Sequence, residues 1–288
     1  MCDHDSMDVM QKAGELSRRQ FGALGMGAAA VIAMLPRAAN AVEVSESEVT
    51  IKTPDGNCDA HFVHPKTGAH AAVLVWPDIF GLRDPFRQMG KRLAENGYSV
   101  LTVNPFYRTQ KAPTAPPNPN FSDPPTRDAL IKLAGTLNAT THNTDANAFV
   151  TWLDSQSQVD KKKKIGTEGY CMGGPMVFRT VAGRADRIGA GATFHGGGLA
   201  TKAADSPHLL IPKMKGSLLI CIAENDDKTD PEAKNILRKA FDDAKVPAKI
   251  DVYPAQHGWC AIDSQVYNKE QAEKAYALKI ELYKKALA

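Results

Sequence analysis

Apolar residues along this chain fall into two alternating patterns: short runs bounded by glycine or proline, and longer stretches with apolar positions three and four apart. Residues 49–52 and 60–63, joined by Pro54-Asp55-Gly56-Asn57, predict an antiparallel hairpin. The run 71–76, closed by Pro77, predicts a buried strand. Residues 85–96 carry helical spacing (Phe86, Met89, Leu93) and stop at Gly97, and 98–103 predicts the next strand, broken at Pro105. A helix over about 144–155 precedes a strand that runs into Gly169-Tyr170-Cys171-Met172-Gly173-Gly174. Strands at 190–194, 217–223 and 248–253 follow, with helices over 231–244 and from about 269 to 287. The alternation predicts an α/β fold, one mainly parallel sheet with helices on both faces. No repeat of solenoid period interrupts it.

Residues 110–126 hold Pro113, Pro116, Pro117, Pro119, Pro124 and Pro125, which predicts neither helix nor inner strand. Because the alternation resumes without a new opening hairpin, the segment reads as an excursion over the C-terminal ends of the strands, not as a linker between domains. At 288 residues, 43% hydrophobic and 23% charged, the chain has material for one large α/β domain. A net charge of +3 without a basic-aromatic array gives no footprint for nucleic acid. Lys161 to Lys164 reads as a solvated strand entry.

The first 41 residues read as a leader, leaving 42–288 as the folded domain. Ser17-Arg18-Arg19-Gln20-Phe21 is a twin-arginine signature, a Gly/Ala-rich apolar stretch spans 22–35, and Ala39-Asn40-Ala41 is a small-x-small cleavage pattern. The apolar stretch is shorter than the roughly 20 residues a spanning helix needs. The expectation is export by the twin-arginine translocase to the periplasm, removal of 1–41 and no stable membrane insertion of the mature chain. The leader carries four Lys/Arg and four Asp/Glu, so the mature charge stays +3.

The densest chemistry is Gly169-x-Cys171-x-Gly173, the cysteine form of a nucleophile elbow. A strand-to-helix turn this sharp strains the nucleophile's backbone and requires side-chain-free neighbours. It also sets the thiol at a helix N-terminus, where the dipole favours a thiolate. In a parallel sheet chemistry collects at the strands' C-terminal ends. Those ends present Pro77-Asp78-Ile79-Phe80-Gly81, Pro105-Phe106-Tyr107-Arg108, Cys171, His195, Glu224-Asn225-Asp226-Asp227 and Gln256-His257-Gly258-Trp259. Nucleophile, acid and histidine in chain order, at Cys171, Asp226 and His257, form a candidate triad. Asp227 and Asp230 stand as alternatives to Asp226, which lies closest to the strand end. His195 reads as hydrogen-bonded within its Gly-rich turn, and His61, His64, His70, His142 and His208 as surface residues. Glu168 is expected to face outward. Cys58, Cys221 and Cys260 lack zinc or redox spacing, and their pairing stays open. Without a CxxC partner for Cys171, a thiol redox protein is disfavoured.

These residues resemble the dienelactone hydrolase family of α/β-hydrolases over roughly 45–286. The resemblance rests on Trp76-Pro77-Asp78-Ile79-Phe80-Gly81, Asn104-Pro105-Phe106-Tyr107-Arg108, the elbow, Ser206-Pro207-His208 and His257-Gly258-Trp259. It implies a hydrolase that uses Cys171, His257 and Asp226 without metal or organic cofactor. It implies an acid at Asp78 that shares the thiol's proton, where the family usually has Glu, and an oxyanion hole from the backbone N–H groups of Ile79 and Met172. Phe80, Arg108 and Trp259 are implied to meet the substrate, with Arg108 gripping a carboxylate. A second family arginine falls on Ala261 and is absent. The expected activity is cleavage of a small carboxylic ester or lactone through a thioester; the alternatives are a general carboxylesterase and a non-catalytic periplasmic binder.

Overall fold

A strand pair opens the fold in the computed structural model, which describes Pro36 and residues 41–288. The leader features therefore lie outside the described residues, except for Pro36 and Ala41. Strands β1 (Val44–Thr53) and β2 (Gly56–Pro65) pair antiparallel from Val44 opposite Pro65 to Thr53 opposite Gly56. They run longer than the apolar alternation suggests, because solvent-facing positions such as Glu46 and Glu48 conceal the strand. Pro54 and Asp55 make the turn, closed by Asp55 N–H donating to Thr53 Oγ1 at 3.1 Å.

The chain then alternates. Strand β3 (Ala72–Trp76), helix α1 (Asp84–Ala94), strand β4 (Ser99–Val103) and helices α2 (Pro124–Ala134) and α3 (Ala139–Ser155) come first. Strand β5 (Ile165–Tyr170), helix α4 (Gly173–Gly183), strand β6 (Ile188–Phe194) and a 3-10 turn over Pro207–Lys213 follow. Strand β7 (Ser217–Ala223), helices α5 (Glu224–Thr229) and α6 (Ala233–Ala244), strand β8 (Ala248–Tyr253) and helix α7 (Lys269–Ala286) complete it. The eight strands lie in the order β1-β2-β4-β3-β5-β6-β7-β8, parallel from β4 to β8. The order reverses at β3, which pairs with both β4 and β5. The C-terminal ends of β3 and β5 therefore meet where open α/β sheets bind ligands.

Both faces of the sheet are covered. Leu74 and Trp76 of β3 pack with Phe149, Val177 and Phe178 on one side, and Val73 and Val75 pack with Phe86, Phe194 and Tyr283 on the other. This coverage corrects the outward placement of Glu168, which is buried beneath α7. Its carboxylate accepts from Lys279 Nζ at 2.9 and 3.0 Å, from Tyr283 Oη at 3.1 Å and from Tyr170 Oη at 3.0 Å. His61 and His142 are likewise buried, not surface residues.

The proline-rich stretch is irregular as far as Asp123, but Pro124 and Pro125 begin α2. Asp123 caps that helix through Oδ2, which accepts from Thr126 N–H at 3.1 Å. Proline fits there because first-turn N–H groups have no partner within the helix. The excursion does lie over the strand ends. Thr114 Oγ1 donates to the Phe80 carbonyl at 3.2 Å, and Phe121 meets the Phe80 ring edge-on with centroids 6.5 Å apart. Helix α3 begins earlier than its apolar spacing suggests, because Asn138 and Thr141 form a capping box. The helix expected over 231–244 is α6, which begins at Ala233, and the strand-end segment before it, Glu224–Thr229, forms the short helix α5.

Candidate active site

The turn between β5 and α4 is as tight as its glycines suggest. Cys171 sits at φ +52°, in the left-handed region that costs an ordinary side chain strain. A Cβ on Gly169 would lie 2.3 Å from the Gly173 carbonyl oxygen, and one on Gly173 would lie 2.5 Å from that of Trp76. Any side chain at either position would push the helix off the strand or the elbow off β3. The thiol stands at the N-terminal end of α4, six per cent exposed, on the wall of a cavity of roughly 150 Å³. A space of about that size holds a benzene-sized molecule.

His257 and Asp226 reach the same place from the ends of β8 and β7. His257 Nδ1 and Asp226 Oδ2 are 2.7 Å apart, and Asn225 Oδ1 fixes the loop by accepting from His257 N–H at 2.7 Å. Among the described residues Nε2 of His257 has no hydrogen-bond partner, and Cys171 lies near it without a well-formed hydrogen bond. Burial opposes a charge on His257, but the Asp226 carboxylate, followed by Cys171, outweighs it and holds the imidazole well above its ordinary value. The alternative Asp227 is engaged elsewhere, with both oxygens 2.7 Å from Lys234 Nζ.

Ile79 and Phe80 line the cavity, and Met172 precedes α4 beside Cys171. Among the described residues neither the Ile79 nor the Met172 N–H donates a hydrogen bond, so both remain available as oxyanion donors. Helix geometry accounts for Met172, since first-turn amides have no intrahelical acceptor.

Three residues implied by the resemblance lie differently. Asp78 borders the cavity, but no hydrogen bond joins it to Cys171 among the described residues. Its Oδ1 accepts from Arg83 Nη1 at 2.7 Å and Phe80 N–H at 2.9 Å, and its Oδ2 from Arg83 Nη2 at 2.9 Å. Burial pushes the Asp78 carboxyl up, against the pull of Arg83. Arg108 is outside the cavity lining. It donates to Asp145 at 2.7 and 2.8 Å and to Asp55 at 2.6 and 3.0 Å, over the Tyr107 ring, and so neutralises a buried carboxylate. Trp259 is fully buried, stacked on Tyr253 with centroids 4.7 Å apart, and is core. Ala261 does line the cavity.

Two further groups line the cavity: Arg83, not singled out from sequence, and His195, expected as a turn residue. Arg83 lies between Asp78 and Asp263, donating Nε and Nη2 to Asp263 at 2.6 and 2.9 Å and Nη1 to the Gly81 carbonyl at 3.1 Å in addition to its Asp78 bonds. Its five N–H donors are thereby used. Its position one residue before an Asp-Pro helix start was the available signal, but Asp263 is 180 residues away in sequence. His195, at φ +42° and one per cent exposed, lines the cavity, and among the described residues neither of its ring nitrogens has a hydrogen-bond partner. That corrects its placement as a hydrogen-bonded turn residue. Burial, then the proximity of His257, holds its imidazole well below the ordinary value. The two rings meet edge-on with centroids 4.9 Å apart.

A mainly parallel eight-stranded sheet with a strained elbow at its switch point defines an α/β-hydrolase. The chain belongs to the dienelactone hydrolase family, whose model matches residues 58–287, and is a hydrolase of that type. It is 25% identical over 197 residues to the carboxymethylenebutenolidase of Rhodococcus opacus, across 68% of this chain and 72% of that protein. A dienelactone hydrolase-like promiscuous phosphotriesterase from metagenomic libraries has a TM-score of 0.70 at 19% identity, with 85% of this chain and 99% of that one covered. A dienelactone hydrolase from Anabaena variabilis gives 0.61 at 15% identity, covering 85% and 99%. At those identities the solved structures bear on the fold.

Proposed function

We propose that the protein hydrolyses a small carboxylic ester or lactone through a thioester on Cys171, with His257 as proton carrier and Asp226 as its orienting acid. The observation that supports this most is the histidine held by Asp226 at 2.7 Å, its other nitrogen unengaged, beside a thiol at a strained elbow in one cavity wall. For attack the Cys171 proton passes to His257 Nε2, which leaves the sulfur as thiolate. The sulfur attacks the carbonyl carbon, and the carbonyl electron pair moves to oxygen, where the Ile79 and Met172 N–H groups meet it. As the tetrahedral species collapses, the carbon–oxygen bond to the alkoxide breaks, and the alkoxide takes the proton from His257 Nε2. In a lactone that alkoxide stays tethered to the acyl group. Water then attacks the thioester while His257 accepts its proton, and collapse returns the acid and the Cys171 thiolate.

Purified protein should release p-nitrophenol from p-nitrophenyl acetate with multiple turnovers; stoichiometric binding without release would favour a non-catalytic binder. The pH profile gives a second check. Because the folded site raises the His257 value, kcat/KM should fall only on a limb well above pH 6.5, the group's ordinary value. Asp226→Asn removes the foremost stabilising charge, so the limb should move to lower pH; an unmoved limb would assign it to another group.

The 1–41 leader supports a further proposal, export through the twin-arginine translocase to the periplasm. Replacing both Arg18 and Arg19 with Lys should leave the precursor in the cytoplasm on cell fractionation. A normal periplasmic yield would contradict it.

A further inference from the structure

A carboxylate drawn into a small apolar cavity loses its water and needs a cationic donor to replace it. Among the described residues lining this cavity, the permanent cation is Arg83, and its five N–H donors are spent on Asp78, Asp263 and the Gly81 carbonyl. Arg83 is also wedged against Phe80 and Phe86, whose ring centroids lie 5.2 and 4.9 Å from its guanidinium carbon, so it cannot swing toward a ligand without breaking both bidentate pairs. One arginine against two carboxylates leaves this wall with a net negative charge. Ala261, in the same lining, adds no charge. What the cavity does offer is His195, a buried imidazole whose two nitrogens have no hydrogen-bond partner among the described residues. Neutral imidazole supplies one donor and one acceptor, which suits an uncharged carbonyl, ether or hydroxyl oxygen.

We propose that the site selects esters or lactones whose acyl part is uncharged, holding that part through His195, and turns away acyl parts that carry a carboxylate. The inference rests on the thiol-hydrolase reading above and narrows its substrate class. A unit charge placed several ångströms from an unneutralised carboxylate in a partly desolvated site is disfavoured by on the order of tenfold or more.

The test uses the purified chain and two esters that differ in charge, the p-nitrophenyl monoester of adipic acid and its methyl ester, both followed by p-nitrophenol release at neutral pH. The methyl ester is the bulkier, so steric exclusion works against the expected result. It should have a kcat/KM at least tenfold higher than the monoanion. Asp263→Asn, with its folding checked by thermal melting, should narrow that ratio severalfold by removing one negative charge. His195→Phe should raise KM for the methyl ester by about tenfold while lowering kcat less. A wild-type ratio near one, or in favour of the monoanion, would overturn the inference while leaving the hydrolase reading intact, as would an unchanged KM in His195→Phe. Release from neither ester would overturn the hydrolase reading and the inference with it.

Discussion

Cys171→Ala is expected to abolish turnover, with kcat falling by about 10⁴-fold or more, while the protein keeps its melting temperature. The side chain removed is small and projects into a cavity wall, so little packing is lost. What disappears is the nucleophile, and without it the oxyanion donors and cavity offer only residual catalysis, on the order of 10³-fold over water. His257→Ala should lose nearly as much, because a thiol without its proton carrier cannot protonate the leaving group. The double mutant should be little worse than either single one, since the pair acts as a unit. Effects that multiply across the two mutants would mean that Cys171 and His257 act independently, against the geometry that places them side by side.

Lys279→Met should cause the largest loss of stability. Glu168 and Lys279 are each about three per cent exposed, so removing the ammonium leaves a carboxylate buried against Tyr170 and Tyr283 with no counter-ion. Breaking a buried pair from one side typically costs about 3–5 kcal/mol. For a domain of this size that corresponds to a fall in Tm of roughly 10 °C. The double change Glu168→Leu with Lys279→Met should recover most of the loss, since an apolar pair of similar volume has no charge to desolvate. Single and double mutants melting alike would show that water reaches the pair.

How much of this was legible in the sequence differs between backbone and side chains. Strands 217–223 and 248–253 were readable residue for residue, because short apolar runs between turn residues have few alternative explanations. The elbow was readable because its glycines are required by close approach, a local property. Pro124 and Pro125 were misread because proline breaks a helix interior but opens a first turn, and the Asp123 cap decides which. Strand ends identify which residues reach the catalytic edge, but not which way each side chain turns. Arg108 and Arg83 both lie near strand ends, and only three-dimensional partners separate them: Asp145 and Asp55 hold one, Asp78 and Asp263 the other. Glu168 was misplaced because its partner, Lys279, lies 111 residues away on a helix that otherwise reads as amphipathic. Among the described residues neither ring nitrogen of His195 has a hydrogen-bond partner, and a missing partner leaves no trace in sequence.

The most direct test of a thioester on Cys171 is mass spectrometry of protein quenched in acid milliseconds after mixing with p-nitrophenyl acetate. The expected result is one added acetyl group on the peptide carrying Cys171, formed with a burst of p-nitrophenol and decaying at the turnover rate. Its lifetime should lengthen in Asp226→Asn, because deacylation needs His257 correctly oriented to take the proton from water. Steady turnover with Cys171 never acylated, or acylation on Cys58, Cys221 or Cys260 instead, would contradict the account.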